Sequence, residues 1–319
     1  MSYFNFSRNM KRFSQMKTII LFLFALFTAC ICEKAQSITP QVNENVELMS
    51  ILSRMAGFPE YNMDMAGQYI KDMDNYFKDN TDHPAVQYMK VLRNKYGISF
   101  DAVMSMAIHL DNRNGTLSLV EEDIPTLEKR WKSVDKDEFL SYLNSFYKDT
   151  DFNEFFKAHK DLYNRGLKSY QDNVLKHFDI DWYADFYGNE PQETFSVIIG
   201  FCNGGNNYGV NRQLTGKRKE VFALVGYYVD KEDTPMYNKE YLPTLIHEFN
   251  HSFINHYLDE NKYPDFVKEL EPAATDLFMS SRWSMAKQAY GNWKTVINES
   301  LVRAAVICLC WTKTTSRKK

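Results

Sequence analysis

Apolar and polar residues follow two different patterns along the chain, and the change comes near residue 190. Before it, apolar residues recur every three or four positions, as on one face of a helix. After it, Thr194–Gly200 and Val221–Val229 are short runs rich in β-branched and aromatic residues, which predict strands. The first pattern predicts helices at about 43–56, 62–78, 84–95, 99–110, 136–148 and 151–176. We therefore expect an α+β, mainly helical fold in which a helical N-terminal region precedes a small sheet.

The segment Leu242–His256 combines a helical pattern with a motif typical of metal sites. His247 and His251 are four positions apart, so on a helix their imidazoles leave the same face about 6 Å from each other. With Glu248 they form H-E-x-x-H, in which two histidines share a zinc ion and the glutamate transfers a proton. The alternative is a helix with two partly buried histidines and a solvated glutamate. The helical context favours the zinc interpretation, because the apolar residues form one stripe: Leu242, Ile246, Phe249, Phe253 and Tyr257.

A catalytic zinc site requires three protein ligands and one position for water, so a third ligand is needed after His251. Glu299 is the favoured candidate, because it lies in an otherwise apolar and small-residue helix predicted at Trp293–Ile307. Its alternative role is a surface ion pair with Arg303, four positions later. His256 stands five residues after His251, which misplaces it for the longer motif H-E-x-x-H-x-x-G-x-x-H. Three further acids fit a solvated helix face better: Glu269, Glu271 and Asp276.

Peptide hydrolysis also requires a group that stabilises the developing oxyanion. The sequence offers Tyr208, Tyr290 and Arg303 for this role or for contacts with the substrate, and it does not decide between them. Tyr208 belongs to Asn203–Gly209, whose Asn and Gly residues tolerate the left-handed backbone of tight turns. This segment is expected to form a loop or hairpin. The alternative is an edge strand or loop that lies along the zinc cleft and pairs with an extended substrate backbone.

Residues 1–37 are expected to be an export signal rather than part of the fold. A basic segment precedes an uncharged run from Thr18 to Ile31, which is shorter than the about 20 residues that a membrane-spanning helix needs. Phe27–Cys30 also approximates a lipoprotein cleavage box, in which Cys30 would carry a lipid anchor. We expect an exported protein without a transmembrane span in the mature chain, and three destinations stay open: the periplasm, the outer membrane as a lipoprotein, or the medium.

The charge of the remaining chain bears on its partners. Removing residues 1–37 takes away five of the 38 basic side chains and one of the 41 acidic ones, which leaves a net charge of about −7. An acidic chain of this kind offers no electrostatic footprint for DNA or RNA. A nucleic-acid partner is therefore not expected.

Two motifs carry a resemblance to known zinc enzymes. His247–Phe253, followed by Asn298–Ala304, resembles the gluzincin type of zinc metallopeptidase, whose third ligand is a glutamate on a later helix. From about Val42 to Val306 the chain is also similar to an uncharacterised domain-of-unknown-function family of exported bacterial proteins considered to be metallopeptidases. Similar proteins continue beyond Ile307 through more helical chain, so a C-terminal truncation or a change of reading frame is expected for this sequence.

The resemblance implies a zincin-like fold with zinc bound by His247, His251 and Glu299 and with Glu248 as the general base. We accordingly expect a signal at 1–37, a helical region at 38–190, and a zincin-like metallopeptidase region at 191–319 with a small sheet. The expected function is that of an exported zinc-dependent metallopeptidase that hydrolyses peptide bonds of a peptide or protein. The alternative is a noncatalytic surface or periplasmic protein that keeps a zincin-like fold and binds peptide or glycan.

Overall fold

The computed structural model describes residues 38–188, 192–286 and 290–316, and the side chains of 310–316 are excluded from the description. The signal expected at residues 1–37 lies outside the described residues. The expected α+β, mainly helical class is confirmed. The helices are α1 (Glu44–Met55), α2 (Gln68–Tyr76), α3 (Pro84–Tyr96), α4 (Asp101–Ile108), α5 (Lys136–Asp149), α6 (Phe152–Ala158), α7 (Lys160–Asn173), α8 (Asp181–Tyr187), α9 (Leu242–Ile254), α10 (Pro264–Ala286) and α11 (Trp293–Ser316). The strands are β1 (Pro40–Gln41), β2 (Leu110–Arg113), β3 (Thr116–Leu119), β4 (Thr194–Gly200), β5 (Tyr208–Arg212) and β6 (Glu220–Gly226).

A four-stranded sheet in the order β1-β4-β6-β5 lies at the centre of the fold. The strand β4 pairs in parallel with both β1 and β6, while β5 pairs antiparallel with β6 and forms one edge. Both β4 and β6 are almost continuously apolar, because side chains on both of their faces are buried. The strands β2 and β3 form a separate antiparallel hairpin.

One hydrophobic core joins the helices and the sheet. It runs from Val46 in α1 to Leu309 in α11 and includes the inward residues of β4 and β6. Helix α9 packs against β5 and β6 and also against α11. The core therefore holds α9 in a fixed position between the edge of the sheet and the last helix. No helix in the described part of the chain is both long enough and apolar enough to cross a membrane.

The segment expected as one helix at 151–176 is divided, and the local chemistry explains why. Helix α6 ends before His159, and α7 begins after it. The His159 Nδ1 atom lies 2.8 Å from the carbonyl oxygen of Phe155, so the side chain competes with the backbone for that carbonyl. A short 3₁₀ turn at Leu175–His177 follows α7.

Strand β6 is shorter than the predicted Val221–Val229. It ends at Gly226, whose N–H donates to the Asn207 side chain at 3.0 Å and whose carbonyl oxygen accepts from the Tyr237 hydroxyl at 2.6 Å. Side chains thus occupy both backbone groups of Gly226, and the ladder with β4 ends after one more bond, from Tyr227 N–H to the Gly200 carbonyl oxygen at 3.2 Å. The predicted Asn203–Gly209 segment is divided in a similar way, since Tyr208 begins the edge strand β5.

Candidate metal centre

Helix α9 carries the two histidines of the sequence motif. Pro243 lies in its first turn, where a missing N–H costs nothing, and Leu245 and Phe249 are buried in the core. The opposite side of the helix presents His247 and His251, with their Nε2 atoms 3.3 Å apart. The helical spacing thus brings the two rings together as the sequence predicted.

Glu299 of α11 meets the two imidazoles from across the interface between α9 and α11. Its Oε2 atom lies 3.5 Å from His247 Nε2, and its Oε1 atom lies 3.5 Å from His251 Nε2. One ligand atom from each of the three residues lies within 4.8 Å of the others. Among the described residues, this is the one group of three or more potential metal ligands that lie this close together.

The three side chains fit a zinc ion in both spacing and chemistry. Ligands that bind one zinc ion at about 2.1 Å with tetrahedral angles lie about 3.4 Å from one another. The two Nε2 atoms are 3.3 Å apart, and each lies 3.5 Å from a different oxygen of the Glu299 carboxylate, which agrees with this value. Two imidazole nitrogens and a carboxylate are also a donor set that catalytic zinc accepts, with a fourth position left for water.

The environment of His247 favours a neutral imidazole, the form that binds metals. Burial, and secondly the neighbouring His251, lower the pKa of His247 to about 4. His251 Nδ1 lies 3.1 Å from Asn255 Oδ1, one helical turn further along. If Nδ1 donates its proton to this oxygen, the Nε2 lone pair of His251 is free to face Glu299 and His247.

Glu248 is buried beside this cluster rather than solvated. Only 6% of the residue is exposed. Burial and the nearby Glu299 raise the pKa of Glu248 to about 8, while the backbone N–H of Gly209 lowers it. The contact with β5 is close: a Cβ atom added to Gly209 would lie 2.1 Å from the carbonyl oxygen of Glu248. Only glycine allows the edge strand to approach the helix backbone to this distance.

Of the three candidate oxyanion or substrate contacts, Tyr290 and Arg303 reach the cluster. The Tyr290 hydroxyl donates to Glu299 Oε2 at 3.0 Å, and Arg303 Nη2 donates to the Tyr290 oxygen at 2.7 Å. Arg303 Nη2 is also 3.5 Å from Glu299 Oε2, so the alternative ion pair is present together with the metal-like geometry. Tyr208 is buried, and its ring stacks on Tyr61 at a centroid distance of 6.4 Å.

The other candidate ligands lie elsewhere. The His256 ring packs against Tyr257 at a centroid distance of 4.2 Å and is outside the cluster. The three acids of α10 are exposed on the helix surface, as the solvated-face interpretation predicted: Glu269, Glu271 and Asp276.

Two residues of the site were not singled out by the sequence. Asn255 could have been found, because it follows His251 at the helical spacing of four. Gly209 stood within a predicted loop, but its contact with the Glu248 backbone is tertiary and has no local signal.

The fold and the site define an α+β, mainly helical protein with a His–His–Glu cluster between two packed helices. The chain belongs to the family described as "Domain of unknown function (DUF4932)", whose model matches residues 38–316. The expected membership of an uncharacterised family is thereby confirmed. No curated protein and no solved structure matches the chain.

Proposed function

We propose that the chain is an exported zinc-dependent metallopeptidase of the gluzincin type. The observation that carries the proposal is the convergence of His247, His251 and Glu299 at ligand spacing, with the buried Glu248 carboxyl group beside them. A zinc ion bound there would polarise a scissile carbonyl group and lower the pKa of its bound water.

The side chains of this site supply the remaining functions of peptide hydrolysis. A dication bound beside Glu248 would favour the ionised carboxylate against the effect of burial. In that form Glu248 would accept a proton from the attacking water and deliver it to the departing amine. Tyr290 is the residue we assign to the oxyanion, because its hydroxyl lies beside Glu299 and is held by the Arg303 guanidinium. The strand β5 is a sheet edge in contact with α9, so an extended substrate backbone could pair with it.

The first test replaces Glu248 with alanine in the purified chain. We expect the variant to retain bound zinc, measured by elemental analysis, and to lose cleavage of a broad peptide library. Glu271→Ala is the matched control, since it removes an exposed glutamate on α10. A Glu248→Ala variant with full chelator-sensitive activity would show that the assigned base is wrong.

The second test concerns the ligands themselves. Glu299→Gln should lower zinc content and abolish cleavage, whereas His256→Gln should change neither, because His256 lies outside the cluster. Unchanged zinc content in Glu299→Gln would favour the ion pair with Arg303 as the role of Glu299. Zinc bound by the native chain without cleavage of any peptide would favour the noncatalytic peptide- or glycan-binding protein.

A further inference from the structure

A cleft opens beside the candidate metal centre, between the beginning of α9 and the middle of α11. Its volume is about 370 Å³. Its polar groups are the Thr244 hydroxyl, the His247 ring and the Arg303 side chain, and its other lining residues are apolar. The lining residues are Pro243, Thr244, His247, Arg303, Val306 and Ile307.

Arg303 is the cation of this cleft, and its guanidinium contacts Tyr290 and Glu299. It follows Glu299 by four residues on α11, so both side chains leave the same face of the helix. Its Nη2 atom donates to the Tyr290 hydroxyl at 2.7 Å, and the guanidinium carbon lies 5.8 Å from the centre of the Tyr290 ring. Over half of the side chain, 54%, is nevertheless exposed.

The guanidinium has hydrogen-bonding capacity left over. In the part of the chain that the structure describes, the hydrogen bonds of Arg303 run through Nη2 alone. The Nε–H, the Nη1–H groups and the Nη2–H that does not bond to Tyr290 therefore remain for a ligand. Together with this second Nη2–H, the neighbouring Nε–H or Nη1–H forms the planar fork that matches a carboxylate with two parallel bonds.

The charges around Arg303 also favour an anion. Among the described residues, the carboxylate within 4 Å of the guanidinium is that of Glu299. In the proposed function this carboxylate is a metal ligand, so its charge is shared with a dication. The wall of the cleft then carries an uncompensated positive charge, next to the apolar side chains of Val306 and Ile307.

We propose that Arg303 is a specificity-determining residue that binds a carboxylate of the peptide substrate in this cleft. The carboxylate comes either from the free C-terminus or from an Asp or Glu side chain, since these are the carboxylates that peptides carry. The inference rests on the proposed function for the choice of a peptide, and it deepens that function by naming the substrate class.

Another role for Arg303 makes a different prediction. If the guanidinium only orients Glu299 and Tyr290, its loss weakens zinc binding or catalysis equally for every peptide. If it binds a substrate carboxylate, its loss removes the difference between acidic peptides and their neutral counterparts. The quantity that separates the two roles is therefore the ratio of the affinity for an acidic peptide to the affinity for its neutral counterpart.

The experiment measures peptide binding without cleavage, using fluorescence anisotropy on the zinc-loaded Glu248→Gln variant. The probes are four labelled octapeptides of one alanine- and leucine-rich sequence, with a free or amidated C-terminus and with Asp or Asn at a central position. Because a hydrogen bond to a charged group contributes about 1.5–3 kcal/mol, we expect the acidic member of at least one pair to bind about tenfold or more tightly.

Replacement of Arg303 identifies the group responsible. In the Glu248→Gln background, Arg303→Gln should abolish the preference and Arg303→Lys should retain part of it. Arg282→Gln is the matched control, because Arg282 is also an exposed helical arginine near an aromatic ring, 4.9 Å from the centroid of Trp283. Circular dichroism and zinc content establish that each variant is folded and loaded.

The outcomes separate the two proposals. A preference that depends on C-terminal amidation identifies the α-carboxylate as the source, and one that depends on Asp against Asn identifies a side chain. Equal binding of both pairs, a preference that survives in Arg303→Gln, or no binding of any probe would overturn the inference. Zinc-dependent cleavage without a preference would overturn the inference and leave the proposed function standing. A preference without cleavage would overturn the proposed function and support Arg303 as the carboxylate contact of a bound peptide.

Discussion

Glu47 offers a quantitative test of the fold at a site away from the proposed metal. This residue of α1 is fully buried and receives hydrogen bonds from the Tyr69 hydroxyl and from the backbone N–H of Phe201, each at 2.7 Å. Burial raises its pKa from 4.5 to about 7, against the lowering effect of these donors. The folded chain therefore keeps a proton on Glu47 at pH values where the unfolded chain has lost it.

The sign of the effect on stability follows from this difference. Between about pH 4.5 and pH 7 the folded state binds more protons than the unfolded state at this position, so the free energy of unfolding falls as pH rises. Each pKa unit corresponds to 1.36 kcal/mol, so the full cost above pH 7 is about 3 kcal/mol. It is absent below about pH 4.5, where the carboxyl group is protonated in both states.

The substitution Glu47→Gln removes the titration and keeps the hydrogen bonds. The glutamine oxygen can accept from Phe201 N–H, and its amide can donate to Tyr69, whose hydroxyl then donates to Tyr163 at 3.1 Å. We expect the free energy of unfolding of the variant, relative to that of the native chain, to rise from pH 5 to pH 8 and to reach its full gain of about 3 kcal/mol above pH 7. Urea unfolding followed by circular dichroism at pH 5, 6, 7 and 8 measures the gain.

Comparing Glu47→Gln with the native chain at each pH cancels the contributions of the other titrating groups to the free energy of unfolding. The exposed Glu271→Gln variant serves as the control, and its stability should follow that of the native chain throughout. A difference between Glu47→Gln and the native chain that stays constant from pH 5 to pH 8, or that shrinks as pH rises, would refute the reasoning.

Three further predictions concern the candidate metal centre. Gly209→Ala should destabilise the fold by about 1–3 kcal/mol and abolish cleavage, because the added Cβ would lie 2.1 Å from the Glu248 carbonyl oxygen; urea unfolding and peptide digests measure both effects. Asn255→Ala should weaken zinc binding about 10- to 100-fold by releasing the His251 ring, as competition with a chromogenic chelator would show. Free zinc at 100 times its dissociation constant should stabilise the native chain by about 2.7 kcal/mol, seen as a thermal shift, and should have no such effect on Glu299→Gln.

The first two of these predictions each have a control variant. A Cβ on Gly291 would meet no atom within 4 Å, so Gly291→Ala should retain stability and zinc content. Asn261→Ala alters an exposed asparagine that bonds to Asp259 at 3.2 Å and should leave zinc affinity unchanged. Full zinc affinity in Asn255→Ala, or equal zinc-induced shifts in Glu299→Gln and the native chain, would contradict the assigned roles.

The local features of the fold could be predicted from the sequence. The stripe of α9 and the apolar runs of β4 and β6 depend on neighbours a few residues away, and they gave the correct fold class. The juxtaposition of His247 and His251 is local for the same reason, since it needs only one helical turn.

Features that depend on distant segments could not be read in the same way. The strand β1 has two residues, Pro40 and Gln41, and pairs with β4 far along the chain. Two residues are too few to show the alternation of apolar and polar positions that predicts a strand. Glu47 belongs to an ordinary helical pattern, yet its carboxyl group is buried and bonds to the backbone N–H of Phe201, the residue that follows β4. The meeting of Glu299 with the histidines was expected from resemblance and from its apolar helix, and the packing of α11 on α9 is what brings it about.

The cluster joins two points of the chain that are separated by the whole of residues 252–298. A cation bound there would cross-link the two ends of that segment, which contains α10. Helix α10 has only two buried residues, Val267 and Ala274, so few packed side chains hold it in position. Chelation should therefore make this loop the first place where a protease cuts the chain, and loading with the ion should protect it.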